Sequence, residues 1–217
     1  MTPNLRRFDR DDSEMLERVE CFKGFFQLDR FVFRHRRFDG GWSRDVVREI
    51  FVRGDATCIL PYDPIRGQVV LIEQFRAGAL LSDRNPWLLE LVAGINEEGE
   101  TPEDVAHREA DEEAGITLAK LERICEYFPS PGGSTEKVHL YCACVDSRTA
   151  GGIHGLHEED EDIRVHVLSL DDAMSLVDNN EIDNAPAIIA LQWLWRHRER
   201  LGRLWPEYLP DTVSAER

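Results

Sequence analysis

The sequence is short of several things, and each shortage excludes a class of protein. No run approaches the ~20 consecutive apolar residues that a membrane-spanning helix needs. The opening residues, Met1-Thr2-Pro3-Asn4-Leu5-Arg6-Arg7, lead into a charged stretch and lack the apolar centre of a secretory signal. There is no internal repeat and no low-complexity linker, which argues against a repeat array or a tethered chain. Cysteine is scarce and odd in number: Cys21, Cys58, Cys125, Cys142 and Cys144 lie mostly inside apolar runs, and Cys142 and Cys144 point to one face of a strand. Small buried hydrophobes in a reducing, cytoplasmic setting account for them better than disulfides or zinc. Positive charge is short as well, since 26 Lys and Arg against 42 Asp and Glu leave a formal net charge of −16. Such a surface repels bare polyphosphate, so nucleic acid is excluded as a general partner. An anionic substrate would need a cation between itself and the protein.

What is present is the material of a globular domain. A chain of 217 residues, 42% hydrophobic and 31% charged, can bury a sizeable core in one large domain, or in a domain plus a small appendage. Residues 1–12 are polar. From there to Phe51 the pattern is strand-like over 14–23, 27–38 and 46–51, with Gly40-Gly41 as the turn between the last two. Phe31, Phe33 and Phe38 interleave with Arg30, Arg34, Arg36 and Arg37, which makes one face of this ribbon basic. Three strands alone are a marginal fold, so the ribbon is expected to dock on the rest of the chain or on a second copy.

After Gly54 the rhythm changes, which sets the expected organisation: a β-ribbon region over 1–53 and a main domain over 54–210. Strands are expected over 57–61 and 68–75, joined by the turn Tyr62-Asp63-Pro64-Ile65-Arg66-Gly67. Another strand spans 87–92, a helix 101–114, and a strand pair 121–128 and 137–145 surrounds Pro129-Ser130-Pro131-Gly132-Gly133. A strand over 163–168 and a short helix over 171–179 precede a long amphipathic helix over 184–201 with Gly202 as its C-cap. Strands mixed with helices, without regular βαβ alternation, predict an α+β fold. The apolar Ile188, Leu191, Trp193, Leu194 and Trp195 make the last helix a core or dimer element. His107, His139, His154, His157 and His166 show no ligand spacing and predict no zinc.

The most informative segment is 94–116, GINEEGETPEDVAHREADEEAGI. Its helix start is over-determined: Thr101 suits the N-cap, Pro102 the first helical position, and Asp104 completes a capping box, while Gly115 is a natural stop. Glu109, Glu112 and Glu113 stand at i, i+3 and i+4, and at ~100° per residue they project from one narrow wedge of the helix. Arg108, four before Glu112, can hold that carboxylate from the side. Periodicity alone leaves a solvated acidic face and a cation site both open. Energetics favour the cation. Two carboxylates ~4 Å apart repel by about 4 kcal/mol at an effective dielectric near 20, and the helix C-terminus disfavours anions further. Clustered oxygens of this kind fit a hard divalent ion, Mg²⁺ with retained waters ahead of Mn²⁺.

The segment also resembles a known motif. Gly94, Glu100, Arg108-Glu109-Ala110, Glu112-Glu113 and Gly115-Ile116 fall at the spacings of a complete Nudix box, with Ala110 standing where a larger aliphatic residue is common. Pro131, sixteen after Gly115, is similar to the proline that marks the ADP-ribose pyrophosphatase branch of that family. Gly24-Phe25-Phe26, Val47-Arg48-Glu49, Glu73-Gln74-Phe75-Arg76 and the tract from Gly152 through Trp193 resemble that branch too, so the likeness runs over 20–205.

The resemblance implies an α/β/α Nudix sandwich with an N-terminal antiparallel β ribbon, and hydrolysis of the pyrophosphate bond of ADP-ribose to AMP and ribose 5-phosphate. It implies Glu109, Glu112, Glu113 and the Ala93 carbonyl as metal oxygens, with Gly94, Glu100 and Arg108 holding the loop and the carboxylates. It implies a catalytic glutamate from the acidic loop Glu158-Glu159-Asp160-Glu161-Asp162, Glu159 before Glu161. For substrate it implies Arg76 on a phosphate, Ser130, Gly132 and Gly133 near the terminal ribose, and Phe25, Arg48 and Glu49 against the adenine held by the partner of a homodimer. Phe25 could equally be core. Three rivals remain: the same chemistry on GDP-mannose, another ADP-sugar or a dinucleotide such as NADH; a non-catalytic ligand-sensing domain; and a calcium-binding acidic module, which would need an alternating Asp/Asn loop that is missing here.

Overall fold

The computed structural model describes residues 5–156 and 160–208. The chain divides into two compact units, Met1–Gly54 with Phe128–Glu136, and Asp55–Tyr127 with Lys137–Arg217. The 128–136 loop, which lies within the 54–210 span of the expected main domain, groups by its contacts with the N-terminal strands.

The first unit is built on an antiparallel sheet in the order β1 (Ser13–Lys23), β2 (Gln27–His35), β3 (Val46–Val52). Strand β1 is exposed along almost its whole length. The central strand holds the buried Asp29, whose carboxylate accepts from Gln27 and from the Arg18 guanidinium. Those partners, Gln27 foremost, hold Asp29 below the ordinary carboxylate range against the opposing effect of burial. Phe26 packs on Phe51 with ring centroids 4.9 Å apart. The 128–136 loop is stitched to the same strand: the Phe51 N–H donates to Gly133 O at 2.8 Å, and Thr135 N–H donates back to Phe51 O at 3.1 Å. Strand β2 stops at His35 rather than at Phe38, because Arg36 bridges to Trp42 and the positive φ of Gly40 and Gly41 closes the turn there.

The second unit is a mixed sheet between helices. Its strands are β4 (Ala56–Asp63), β5 (Gln68–Phe75), β6 (Trp87–Glu90), β7 (Val92–Ile95), β8 (Lys120–Tyr127), β9 (Val138–Cys144), β10 (Gly152–His154) and β11 (Ile163–Ser169). The order is β10-β11-β5-β4-β9-β8, with β6 on β5 and β7 on β4; β4 and β9 run parallel and the other pairs antiparallel. Helix α1 (Pro102–Ala114) covers one face, and α2 (Leu170–Asp178) and α3 (Ala185–Leu204) cover the other. Strands β4 and β5 therefore read as nearly continuous apolar runs. Ile59, Val70 and Ile72 bury toward Ala106, Ala110 and Ala114 of α1. Cys58, Leu60, Val69 and Leu71 bury toward Leu191 and Leu194 of α3. Each large side chain so buried contributes about 1.5–3 kcal/mol. Cys142 and Cys144 lie together in the α3-side cluster, as alternation along β9 requires.

Two expected elements differ. The strand over 87–92 is two strands, because the chain changes partner at Leu91, from β5 to β4. The last helix runs through Gly202 to Leu204 and is capped by Trp205, whose indole is buried in the core; packing there outweighs the local preference of glycine for a C-cap. Among the described residues no helix is long and apolar enough to cross a membrane.

Candidate active site

Helix α1 starts as its sequence dictates. Thr101 Oγ1 accepts from the Asp104 N–H at 3.2 Å, Asp104 Oδ2 accepts from the Thr101 N–H at 3.0 Å, and Pro102 occupies the first turn. It ends at Gly115, whose φ of +61° is left-handed. That φ favours glycine, and a Cβ there would also lie 2.6 Å from Cε1 of His154, so the imidazole would have to move. Ala106, Ala110 and Ala114 pack against the sheet, and Val105 is buried as well. The small Ala110 is fully buried there, so the position that departs from the motif still packs.

The neighbouring wedge of α1 carries Glu109, Glu112 and Glu113. Glu109 and Glu113 are only 9% and 4% exposed, so they are not a solvated face. One arginine organises the cluster. Arg108 Nη1 donates to Glu109 at 2.6 Å and to Glu112 at 3.2 Å, while its Nε and Nη2 donate to the two oxygens of Glu100 at 3.0 and 3.1 Å. These carboxylates, Glu100 first, push the Arg108 pKa further up, and Arg108 in turn lowers that of Glu100. Glu113 instead accepts from the Ala93 N–H at 2.8 Å. Burial pushes Glu113 up to about 8, the Ala93 N–H opposes, and the charges of Glu109 and Glu161 add to the rise. Burial also raises Glu109.

The backbone of β7 completes the cluster. A Cβ on Gly94 would sit 1.6 Å from Glu109 Oε1, so only glycine lets this carboxylate lie against the strand. On the other side, the Gly155 N–H reaches the Glu112 carbonyl at 3.4 Å, and His154 abuts Gly115. The hairpin formed by β10 and β11 is thereby laid along the C-terminal end of α1. Glu161 closes its loop by accepting from the Leu156 N–H at 3.3 Å, and its charge reaches both Glu109 and Glu113. Glu159, the first choice for catalytic glutamate, lies outside the described residues.

Arg76, at the end of β5, donates from Nε to Glu90 at 2.7 Å, and its charge acts to lower the Glu113 pKa. Sequence reasoning assigns no role to Glu90 or to Gln74. The signal for both is strand alternation: Ile72 pairs with Glu90 and Gln74 with Leu88, which puts Gln74 and Glu90 on the face that also bears Arg76. The structure thus brings together Ala93, Gly94, Glu100, Arg108, Glu109, Glu112 and Glu113, with Arg76 and Glu161 within electrostatic reach. Phe25, Arg48, Glu49, Ser130, Gly132 and Gly133 belong to the first unit. Phe25 is 89% exposed, which removes the core alternative for it. Arg48 and Glu49 are exposed on β3, and Ser130 accepts from the Gly133 N–H at 3.1 Å in a tight turn.

Among the described residues no three His, Cys, Asp or Glu side chains converge as a ready-made cation cage; Glu109 and Glu112 are gathered on Arg108 instead. The donor chemistry nevertheless fits a hard divalent ion. Every candidate atom is oxygen, and the strand backbone at Ala93 and Gly94 lies directly against the two buried carboxylates. A cleft of about 400 Å³ lined by Trp87, His166 and Leu176 sits elsewhere, beside α2 and away from the α1 face.

Comparison with known proteins finds relatives over most of the chain. The model of the NUDIX domain matches residues 52–191. The chain is 50% identical to an ADP-ribose pyrophosphatase of Escherichia coli K12 over 198 residues, 91% of this chain and 95% of that protein. It is 45% identical to an ADP-ribose pyrophosphatase of Haemophilus influenzae over 204 residues, 93% and 94% of the two chains. A GDP-mannose pyrophosphatase of Yersinia pestis is 34% identical over 211 residues, 94% and 99% of the two chains. A solved structure described as an ADP compounds hydrolase superposes with a TM-score of 0.68 at 19% identity, over 89% of this chain and 97% of that one, which establishes the shared fold.

Proposed function

The chain belongs to the Nudix family, and from that membership we propose that it hydrolyses the pyrophosphate bond of ADP-ribose, giving AMP and ribose 5-phosphate. The observation that carries the reading is the pair of buried carboxylates, Glu109 and Glu113, pressed against the backbone of Ala93 and Gly94 and flanked by Arg76. Half of the aligned residues are shared with an ADP-ribose pyrophosphatase over nearly the whole chain, which supports ADP-ribose ahead of other nucleotide sugars.

Nudix hydrolases use a divalent metal, and Mg²⁺ is the ion assigned here, with Mn²⁺ able to replace it. It would be held by Glu109, Glu112, Glu113 and the Ala93 carbonyl. When bound, such an ion supplies charge screening for the diphosphate and lowers the pKa of a water. The chain does the rest. Arg108, itself fixed by Glu100, orients Glu109 and Glu112. Arg76, aligned by Glu90, meets a phosphoryl oxygen. A carboxylate of the acidic loop, Glu159 or else Glu161, takes the proton of the attacking water, a contribution of roughly 10²–10⁴-fold. The water oxygen bonds to one phosphorus as the bridging oxygen leaves with the other phosphate. The β-ribbon region, 1–53, is assigned to a homodimer, with Phe25, Arg48 and Glu49 on the adenine and the 130–133 turn near the terminal ribose. The setting is the cytoplasm, where the mostly buried thiols stay reduced.

The experiment is a panel of ADP-ribose, ADP-glucose, GDP-mannose and NADH with Mg²⁺, followed by mass analysis of products formed in ¹⁸O water. ADP-ribose turned over at least ~10-fold more efficiently than the others is expected, a discrimination of about 1.4 kcal/mol. Preference for GDP-mannose would favour the chemistry of the Yersinia relative, and saturable binding without product would replace the enzyme by a ligand sensor.

A further inference from the structure

Gln74 is a polar side chain that neither the mechanism nor the fold uses. It lies on β5 and is 6% exposed, and its Nε2 is buried with no hydrogen-bond partner. Side chains along a strand alternate, so Val70, Ile72, Gln74 and Arg76 share one face. Val70 and Ile72 bury into the cluster beneath α1, and Arg76 reaches Glu90 and influences Glu113. Gln74 therefore stands between the floor under the catalytic helix and the arginine assigned to phosphate. The Cα atoms of Gln74 and Arg76 are about 7 Å apart by strand geometry, close enough for both side chains to address one phosphoryl group.

Buried polar groups are almost always paired, so an orphaned donor calls for an explanation, and a bound ligand is one that its position beside Arg76 favours. Several carboxylates crowd this face, yet none accepts from Gln74. We propose that Gln74 is a substrate-binding residue whose Nε2–H donates to a phosphoryl oxygen of the bound pyrophosphate, beside Arg76. This rests on the pyrophosphatase reading above and deepens it. A neutral amide suits the task. It adds a directed donor without a second cation, which the carboxylates of Glu90 and Glu113 would draw away from substrate.

The proposal makes stability and binding move in opposite directions, which a packing role would not do. In Gln74→Leu, of similar size and without polar atoms, the metal-free, ligand-free protein is expected to melt ~2–4 °C higher, because an unsatisfied donor has gone. The same variant should bind the non-hydrolysable α,β-methylene analogue of ADP-ribose at least ~10-fold more weakly by calorimetry with Mg²⁺ present, with a matching fall in kcat/KM. Gln74→Glu, which replaces the donor with an anion, should lose more than Gln74→Leu, and Gln74→Met serves if the leucine variant does not fold. Analogue affinity and kcat/KM within twofold of wild type, in a folded leucine or methionine variant, would overturn this role while leaving the function intact. Wild-type protein that fails to hydrolyse ADP-ribose would overturn the function, and with it the acceptor that Gln74 needs.

Discussion

Asp63 at the end of β4 and Glu113 on α1 are both withdrawn from water, 0% and 4% exposed, within one compact unit. Asp63 accepts from the N–H groups of Ile65, Arg66 and Ser147, the Ser147 hydroxyl and the Arg66 guanidinium, all at 2.8–3.0 Å. Burial works to raise its pKa, but these donors outweigh burial and hold it below the ordinary 3.8. Glu113 accepts one N–H, from Ala93, and faces two further carboxylates, so burial lifts it to about 8. The same residue chemistry at the same depth is thus satisfied in one place and left short in the other. Asp63 locks a turn onto a neighbouring segment, and the deficit at Glu113 lies where the proposed cation would be held.

Exchanging each carboxylate for its amide separates the two most sharply. Glu113→Gln is expected to lower kcat for ADP-ribose by ~10²–10⁴-fold with thermal stability kept or raised, since an uncompensated buried acid has become neutral. Asp63→Asn should do the reverse. It presents an NH₂ group to donors that need an acceptor, and is expected to cost about 3 kcal/mol in denaturant unfolding while kcat stays near wild type. If Glu113→Gln unfolds the protein and Asp63→Asn abolishes turnover, the contrast is reversed and the account fails.

A smaller effect is expected from pH alone. The folded pKa of Asp63 is depressed, so its stabilisation is present above the unfolded value of 3.8 and is lost as pH falls through the folded value. The folded pKa of Glu113 is raised, so the metal-free folded state holds a proton that the unfolded chain has released. Its contribution is present below 4.5 and declines as pH rises toward about 8. Urea titrations of metal-free wild type and Glu113→Gln between pH 5 and 8.5 should show a declining midpoint in the first and a flatter one in the second. Equal slopes would remove the raised pKa from the argument.

How much of this was legible in the chain follows from how local each feature is. The start and stop of α1 rest on Thr101, Pro102, Asp104 and Gly115, all within one short stretch, and the spacing of Glu109, Glu112 and Glu113 follows from helical period alone. The break at Leu91 was hidden because both strands it separates are apolar and only a change of pairing partner divides them. Gly202 misled because the helix end is decided by Trp205 burying in the core. Helical spacing put Arg108 beside Glu112 alone, and only the resemblance implied that it holds the loop and further carboxylates; its bonds to Glu100 depend on a loop folding back across the helix. The orphaned amide of Gln74 is a property of its surroundings, and no residue type announces it.

The central claim is that the under-satisfied carboxylates of α1 are completed by a divalent cation. Calorimetric titration of Mn²⁺ and Mg²⁺ into wild type, Glu113→Gln and Asp63→Asn tests it directly. Saturable uptake is expected in wild type and Asp63→Asn, with affinity at least ~10-fold weaker in Glu113→Gln. Equal uptake by all three, or none by wild type with or without the methylene analogue present, would contradict it.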